Sequence, residues 1–315
     1  MSLAESQAVE PVSLSLNAAD PDAFASALGR SFEATGFAVV SGHGLDQGLI
    51  SAMQADARDF FALPEAVKLR YRPAGVFGQR GYTPFGVETA KGARHNDLKE
   101  FWHVGRELPP GHPARAQMPD NVWPDEIPDF RAHALRLYFA LETLGDTVLA
   151  GVARHLGLEA DYFAPSTKMG NSVLRLLHYP PAPFEGPHVR AAAHEDINAI
   201  TLLLGAEEAG LELKDRSGVW RPINPPPGSV VCNIGDMLSR LTNGVLPSTT
   251  HRVVNPPPER RDRPRYSAPF FLHFEPDFLI ETLPACVTEA RPDRFPEPIT
   301  AGAFLDERLR EIGLK

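Results

Sequence analysis

His194-Glu195-Asp196 leads into the apolar run 199–204, and His251 opens a second short β-prone run 57 residues later. In an extended backbone, residues i and i+2 share a face. His194 and Asp196 can therefore address one metal ion while Glu195 turns away. Two imidazoles and one carboxylate on a single face of an ion leave its other positions open, which is the donor set of non-haem Fe(II) sites. A like spacing recurs as His95-Asn96-Asp97 with His155. That pattern is a decoy: His155 ends a predicted helix and His95 sits in a glycine-rich stretch. Neither belongs to a sheet that could fix ligand geometry.

Fourteen residues after His251 come Arg265-Tyr266-Ser267, at the head of another β-prone run. Arg265 and Ser267 share a strand face and offer a planar guanidinium fork with a hydroxyl. That pair suits a carboxylate. Arg260, Arg261 and Arg263 precede it and read as a solvated basic loop.

The elements that must position these groups fall into two unequal parts. Phe24, Leu28 and Phe32 recur on one helical stripe after Asp20-Pro21. A strand follows over 36–40, then a helix capped by Asp46 to about Leu63, and a short one begun by Pro64. The stretch 73–97 is punctuated by glycines and reads as a long mobile loop, a candidate lid. Within it Arg80, Tyr82 and Phe85 are possible substrate contacts. A long helix from near Pro128 to His155 carries Leu135, Tyr138, Leu141 and Leu144, with Gly157 as its terminator. From about residue 170 the texture changes to short strands at 172–179, 198–204, 211–214, 219–223, 229–234, 251–254 and 265–275. Proline-rich turns separate them, and this spacing favours a jelly roll over a parallel α/β sheet.

Prolines number 31 among 315 residues, about twice average usage, which fits many short elements joined by turns. An apolar share of 43% suffices for a sizeable core. The net charge of −9 and pI near 5.7 argue against partners with phosphate backbones and against anionic membrane surfaces. No window is apolar for the length of a membrane span, and no cationic segment precedes an apolar run near the N-terminus. Cys232 and Cys286 are too few for a disulfide framework. A cytoplasmic protein with a small-molecule substrate is the expectation; oligomeric state is not legible. No GxGxxG follows a strand, so a dinucleotide fold has no support.

The segment running from Gly235-Asp236-Met237-Leu238 through Thr242-Asn243-Gly244 to Ser248-Thr249-Thr250-His251-Arg252-Val253 resembles the distal-histidine region of isopenicillin N synthase-like, plant-type 2-oxoglutarate- and Fe(II)-dependent dioxygenases. Gly36-Phe37 through His43-Gly44, Phe60-Phe61-Ala62-Leu63-Pro64 and Lys99-Glu100-Phe101 resemble the N-terminal region of the same family. The likeness spans about residues 10 to 290, in family order.

The resemblance implies an α+β fold: a double-stranded β-helix (jelly roll) core with flanking N-terminal helices. It divides the chain into an N-terminal helix and strand region, 1–120, and a jelly-roll domain, 121–315. It implies Fe(II) held by His194, Asp196 and His251, and 2-oxoglutarate as cosubstrate with its distal carboxylate on Arg265 and Ser267. Tyr179, in Arg175-Leu176-Leu177-His178-Tyr179-Pro180, takes the place of a Tyr that also contacts the cosubstrate. Leu177 stands where the family usually has Asn, and Leu cannot donate a hydrogen bond. The implied activity is O₂-dependent oxidative decarboxylation of 2-oxoglutarate to succinate and CO₂. It is coupled to hydroxylation, desaturation or ring closure of a small organic substrate. Two other readings accompany it: an Fe(II) oxidase acting directly on its substrate without 2-oxoglutarate, and a non-catalytic jelly-roll binding module.

Overall fold

The computed structural model describes residues 9–76, 78–87, 96–181, 189–204 and 209–311. The N-terminal part runs β1 (Pro11–Ser13), α1 (Leu14–Ala19), α2 (Pro21–Thr35), β2 (Phe37–Ser41), α3 (Gln47–Ala62) and α4 (Glu65–Lys68). It continues through β3 (Gly81–Thr83) and β4 (Glu100–Gly105) to the long α5 (Phe130–His155) and short α6 (Ala164–Thr167). Then come β5 (Val173–Tyr179), β6 (Ala191–His194), β7 (Ile200–Leu204), β8 (Leu211–Lys214), β9 (Trp220–Pro222) and β10 (Val230–Ile234). The chain closes with α7 (Asp236–Leu241), β11 (His251–Val253), β12 (Arg265–Leu272), β13 (Leu279–Ile280), β14 (Ile299–Thr300) and α8 (Ala301–Glu311).

Helix starts follow the local chemistry. The Asp20 carboxylate accepts the Ala23 N–H at 2.9 Å, and Asp46 accepts those of Gly48 and Leu49. Each such cap stabilises its helix by about 1 kcal/mol. Phe24, Leu28 and Phe32 are fully buried. Each contributes about 1.5–3 kcal/mol through that burial. On α5 the buried stripe runs through Leu137, Tyr138, Leu141, Leu144 and Val148, and the expected Leu135 is only partly buried.

The larger sheet has the order β1-β2-β10-β7-β12-β5-β4-β3, antiparallel except for β1 beside β2. The smaller is β6-β11-β8-β9, also antiparallel. Together they form the double-stranded β-helix, and strands from both halves of the chain complete the larger sheet. The expected division near residue 120 falls between β4 and α5.

Alternation along the larger sheet decides what faces the barrel interior. Ala38, Val40, Trp102, Val104, Leu174, Leu176, Leu202, Phe270 and Leu272 belong to the main core beneath α2, α3 and α5. Phe37, Val39, Phe101, Leu177, Tyr179 and Val231 belong to a second apolar cluster inside the barrel. The two sets alternate in register, so one hydrophobic face packs helices and the other builds a site.

Two expectations are corrected here. The stretch 73–97 is not loop throughout, because Gly81-Tyr82-Thr83 pairs with Phe101-Trp102-His103 as β3. Gly81 takes φ +69°, and a Cβ there would run into the Tyr71 carbonyl oxygen, so only glycine fits. Residues 77 and 88–95, including His95 of the decoy, lie outside the described residues. The strand that reaches His194 also stops there, leaving Asp196 in the connection to β7.

Candidate metal centre

His194 ends β6 and His251 begins β11, and the two are direct antiparallel partners. Their Nε2 atoms each lie 3.8 Å from Asp196 Oδ1. Among the described residues this is the one His/Cys/Asp/Glu group compact enough for a metal, its ligand atoms all within 4.8 Å. Metal–nitrogen and metal–oxygen bonds run to about 2 Å, so one ion reaches all three.

Both imidazoles are pre-oriented. His194 Nδ1 lies 2.7 Å from the Ala192 carbonyl oxygen and His251 Nδ1 lies 3.1 Å from that of Thr249. An Nδ1–H donated to each carbonyl leaves the Nε2 lone pair facing Asp196. Phe37 meets the His251 ring edge-on at 5.5 Å and restrains its tilt. Burial, with the field of His251, pushes His194 down to about 4, keeping it in the neutral form that a metal ligand requires.

Asp196 is held as firmly. Its Oδ2 accepts from Thr201 Oγ1 at 2.6 Å and Asn233 Nδ2 at 2.8 Å, so Oδ1 alone is left toward the histidines. Burial raises its pKa, but the fields of His251 and His194 and these hydrogen bonds outweigh it, and the carboxyl sits below its usual range. Thr201 and Asn233 face each other across β7 and β10, on the inner face. Neither stands out in the sequence; their one signal is inward alternation in otherwise apolar strands. Glu195 turns aside as expected and accepts the Thr250 hydroxyl proton at 2.8 Å.

Arg265 is buried on the same interior, opposite Tyr179 in register, with its guanidinium 5.1 Å from the Tyr179 ring centroid. Its Nη1 donates to Ser267 Oγ at 3.1 Å. Leu177 pairs with Ser267 and Phe101, and belongs to the apolar cluster that also holds Leu211, Leu213 and Val253. A guanidinium in so apolar a setting strengthens any charge pair made there.

A cavity of about 930 Å³ opens on two of the three triad residues, His194 and Asp196, and is also lined by Phe271, His273 and Arg175. Arg80 also lines it, yet its guanidinium donates to the carbonyls of Pro119 and Gln79 and to Asn171 Oδ1. Tyr82 is corrected as a substrate contact. It pairs with Trp102 on the outward face of the sheet, packs on Phe60 and donates to Glu100 Oε2. Phe85 is exposed and does not line this cavity. The decoy residues are otherwise engaged: Asp97 pairs with Lys99 at 2.8 Å, and His155 with Glu33 at 3.0 Å.

Comparison with known proteins gives the family. Residues 9–126 match the family described as non-haem dioxygenase in morphine synthesis N-terminal, and residues 170–274 match the 2OG-Fe(II) oxygenase superfamily. The 2-oxoglutarate-Fe(II) type oxidoreductase hxnY of Emericella nidulans is 34% identical over 282 residues, 86% of this chain and 79% of that one. A crystal structure of a 2OG-Fe(II) oxygenase family protein from Caulobacter crescentus is 62% identical with a TM-score of 0.91, covering 97% of this chain and 99% of that one. A full-length Neurospora crassa protein crystallised in complex with alpha-KG and thymine is 29% identical with a TM-score of 0.84, covering 98% of both chains. The chain belongs to the 2-oxoglutarate- and Fe(II)-dependent oxygenases. It is an oxidoreductase of the dioxygenase type that uses Fe(II), 2-oxoglutarate and O₂, and this supports the coupled reaction over the direct-oxidase and binding-module readings. No helix among the described residues is long and apolar enough to cross a membrane.

Proposed function

We propose that His194, Asp196 and His251 hold Fe(II), and that Arg265 and Ser267, over the Tyr179 ring, take the distal carboxylate of 2-oxoglutarate. The observation that carries this reading is the shared interior. The Nε2, Nε2 and Oδ1 atoms converge beside an inner sheet face whose buried guanidinium already has a hydroxyl beside it. When bound, Fe(II) and 2-oxoglutarate supply the O₂-dependent decarboxylation that yields succinate and CO₂.

The chain's own part is binding and orientation. Arg265 offers a planar two-point fork, and Ser267, which accepts one Arg265 N–H, can give its own proton to the same carboxylate. Leu177 donates nothing and instead seals the pocket with Phe101, so the cosubstrate's fixation rests on Arg265, Ser267, Tyr179 and the metal. The cavity beside the triad takes a small organic substrate, and its volume lies in the range of sites for such molecules. We read the enzyme as cytoplasmic, and its acidic net charge argues against a nucleic-acid or anionic-membrane partner.

Succinate formation and oxygen uptake, measured with and without Fe(II) and 2-oxoglutarate, test this reading. Succinate that requires both is expected even before a primary substrate is added, as slow uncoupled turnover. Oxygen uptake that never depends on 2-oxoglutarate would overturn it in favour of direct oxidation.

A further inference from the structure

Arg175 sits on β5, which lies between β4 and β12 in the larger sheet. Its neighbours Leu174 and Leu176 are buried in the main core on the helix-packed face. Arg175 therefore takes the opposite face, in line with Leu177 and Tyr179. It is only partly buried although its strand is central, and it lines the cavity on which His194 and Asp196 open. Strands on both sides close off its flanks, so the surface it keeps faces the barrel interior.

The guanidinium is fixed by groups that line the same cavity. His103 faces Arg175 directly in the β4–β5 register. Its Nδ1 lies 2.7 Å from the Gly78 carbonyl oxygen, and Arg175 Nε donates to its Nε2 at 2.6 Å. An Nδ1–H given to Gly78 leaves the Nε2 lone pair for that N–H, so the tautomer and the arginine plane are set together. The guanidinium carbon lies 4.3 Å from the Phe101 ring centroid and 5.2 Å from that of Phe271, one ring from each neighbouring strand. His103, Phe101 and Phe271 all line the cavity. The two Nη atoms carry the rest of the fork's N–H donors, enough to serve an incoming oxygen alongside protein partners. Glu195, Asp196 and Asp236 line the cavity too, so its wall is mixed in charge, and recognition at Arg175 is a matter of direct contact rather than net field.

We propose that Arg175 receives a carbonyl or carboxylate oxygen of the primary substrate, that this oxygen is carried on a flat ring, and that His103 positions the guanidinium for it. A guanidinium held by its Nε and by two rings offers its in-plane donors without the cost of ordering a flexible side chain. An oxygen conjugated to a ring arrives in the plane of the fork, and Phe101 and Phe271 supply apolar walls for the ring itself. This assignment rests on the oxygenase reading above and names the substrate class for that same site.

The test is anaerobic calorimetric titration of the protein loaded with Fe(II) and saturating 2-oxoglutarate, which keeps the probes away from Arg265. Benzoate and benzamide carry the conjugated oxygen, and toluene lacks it. Both oxygen-bearing probes bind at least about tenfold more tightly than toluene, the effect of one charge-assisted hydrogen bond. Arg175→Met keeps the stem but loses the donors; it abolishes that preference and leaves toluene binding unchanged, and Arg175→Lys recovers part of it. His103→Phe reduces the preference, and His103→Gln, which keeps an acceptor, restores some of it. A purely structural role for either residue would weaken all three probes alike. Should Arg175→Met fail to fold by circular dichroism, Arg175→Lys carries the test, since it keeps the charge and loses the fork. Near-equal affinity for the three probes in the wild type, no binding of either oxygen-bearing probe, or a preference that survives loss of the Arg175 fork would each overturn the proposal. Failure of the oxygenase reading shows separately, as absence of 2-oxoglutarate-dependent succinate without any probe.

Discussion

Asn233 donates its Nδ2–H to Asp196 Oδ2 at 2.8 Å, from a strand 37 residues further along the chain. Thr201, the cross-strand partner of Asn233, donates to the same oxygen. The oxygen that Asp196 turns toward the two histidines is therefore chosen by two residues outside the proposed ligand triad. Removing such an orienting partner typically costs about 10–100-fold in metal affinity. Asn233→Leu should weaken Fe(II) binding by about that range while the fold persists, since the rest of its strand is apolar and buried. Fe(II) titration of both proteins is the check; equal affinities would mean that Asp196 needs no orientation.

His194→Ala and His251→Ala each remove one of three proposed ligands. Both should lose tight Fe(II) binding and 2-oxoglutarate turnover while remaining folded by circular dichroism. His95→Ala should bind iron as the wild type does. Retained iron in both triad variants would dismiss the triad, and loss in the third would revive the decoy.

Arg265→Lys keeps the charge but loses the planar fork. Loss of one charge-assisted hydrogen bond, worth about 1.5–3 kcal/mol, should raise KM for 2-oxoglutarate roughly 10- to 150-fold. Ser267→Ala should cost less, having one contact and no charge. Succinate formation against 2-oxoglutarate at saturating iron measures both, and an unchanged KM in Arg265→Lys would remove Arg265 from the cosubstrate site.

His273 gives stability a pH dependence. Its folded pKa of about 4 lies below the ordinary 6.5, so the unfolded chain binds a proton that the folded one refuses. The stability it preserves is full above the ordinary value and is lost as pH falls toward about 4. Between about pH 7 and pH 5 the loss should approach about 2 kcal/mol. His273→Phe should flatten that part of the curve for the metal-free protein. Urea unfolding of both proteins at the two pH values decides it; parallel curves would mean that His273 titrates normally.

Glu100 anchors β4 to its surroundings. Its Oε2 accepts from Lys68 Nζ at 2.8 Å and from Tyr82, and its Oε1 pairs with His178 Nδ1 at 2.7 Å. Hydrogen bonds from His178, Lys68 and Tyr82 outweigh burial and hold its pKa low. Glu100→Ala would leave buried Lys68 without its counter-charge, costing about 3–5 kcal/mol. Tyr82→Phe removes one hydrogen bond and should cost about 1 kcal/mol. Denaturant midpoints test the order, and the reverse ranking would discount the ion pair.

Much of this protein is written locally. Asp20 and Asp46 mark helix starts because a short acceptor side chain meets unpaired N–H groups within three residues. Phe24, Leu28 and Phe32 reveal their face by period alone. His194, Asp196, His251, Arg265 and Ser267 stand out because their types are rare within β-prone runs. Tyr82 reads as a loop residue because glycines on either side suggest an open turn, whereas pairing with Trp102 turns its ring into the core. Helix α8 leaves little trace in the sequence, although Phe304 and Leu305 pack against the core and Arg308 lines the cavity. Asn233, Thr201, Asn171 and His273 are equally invisible there. A lone polar residue in a strand reads the same whether it faces solvent or a metal. Local propensity and spacing thus gave most of the elements and the candidate ligand types. Only the tertiary structure decided which oxygen of Asp196 faces the histidines, and which residues share its cavity. Those contacts join strands tens of residues apart, through sheet register that no short window of sequence contains.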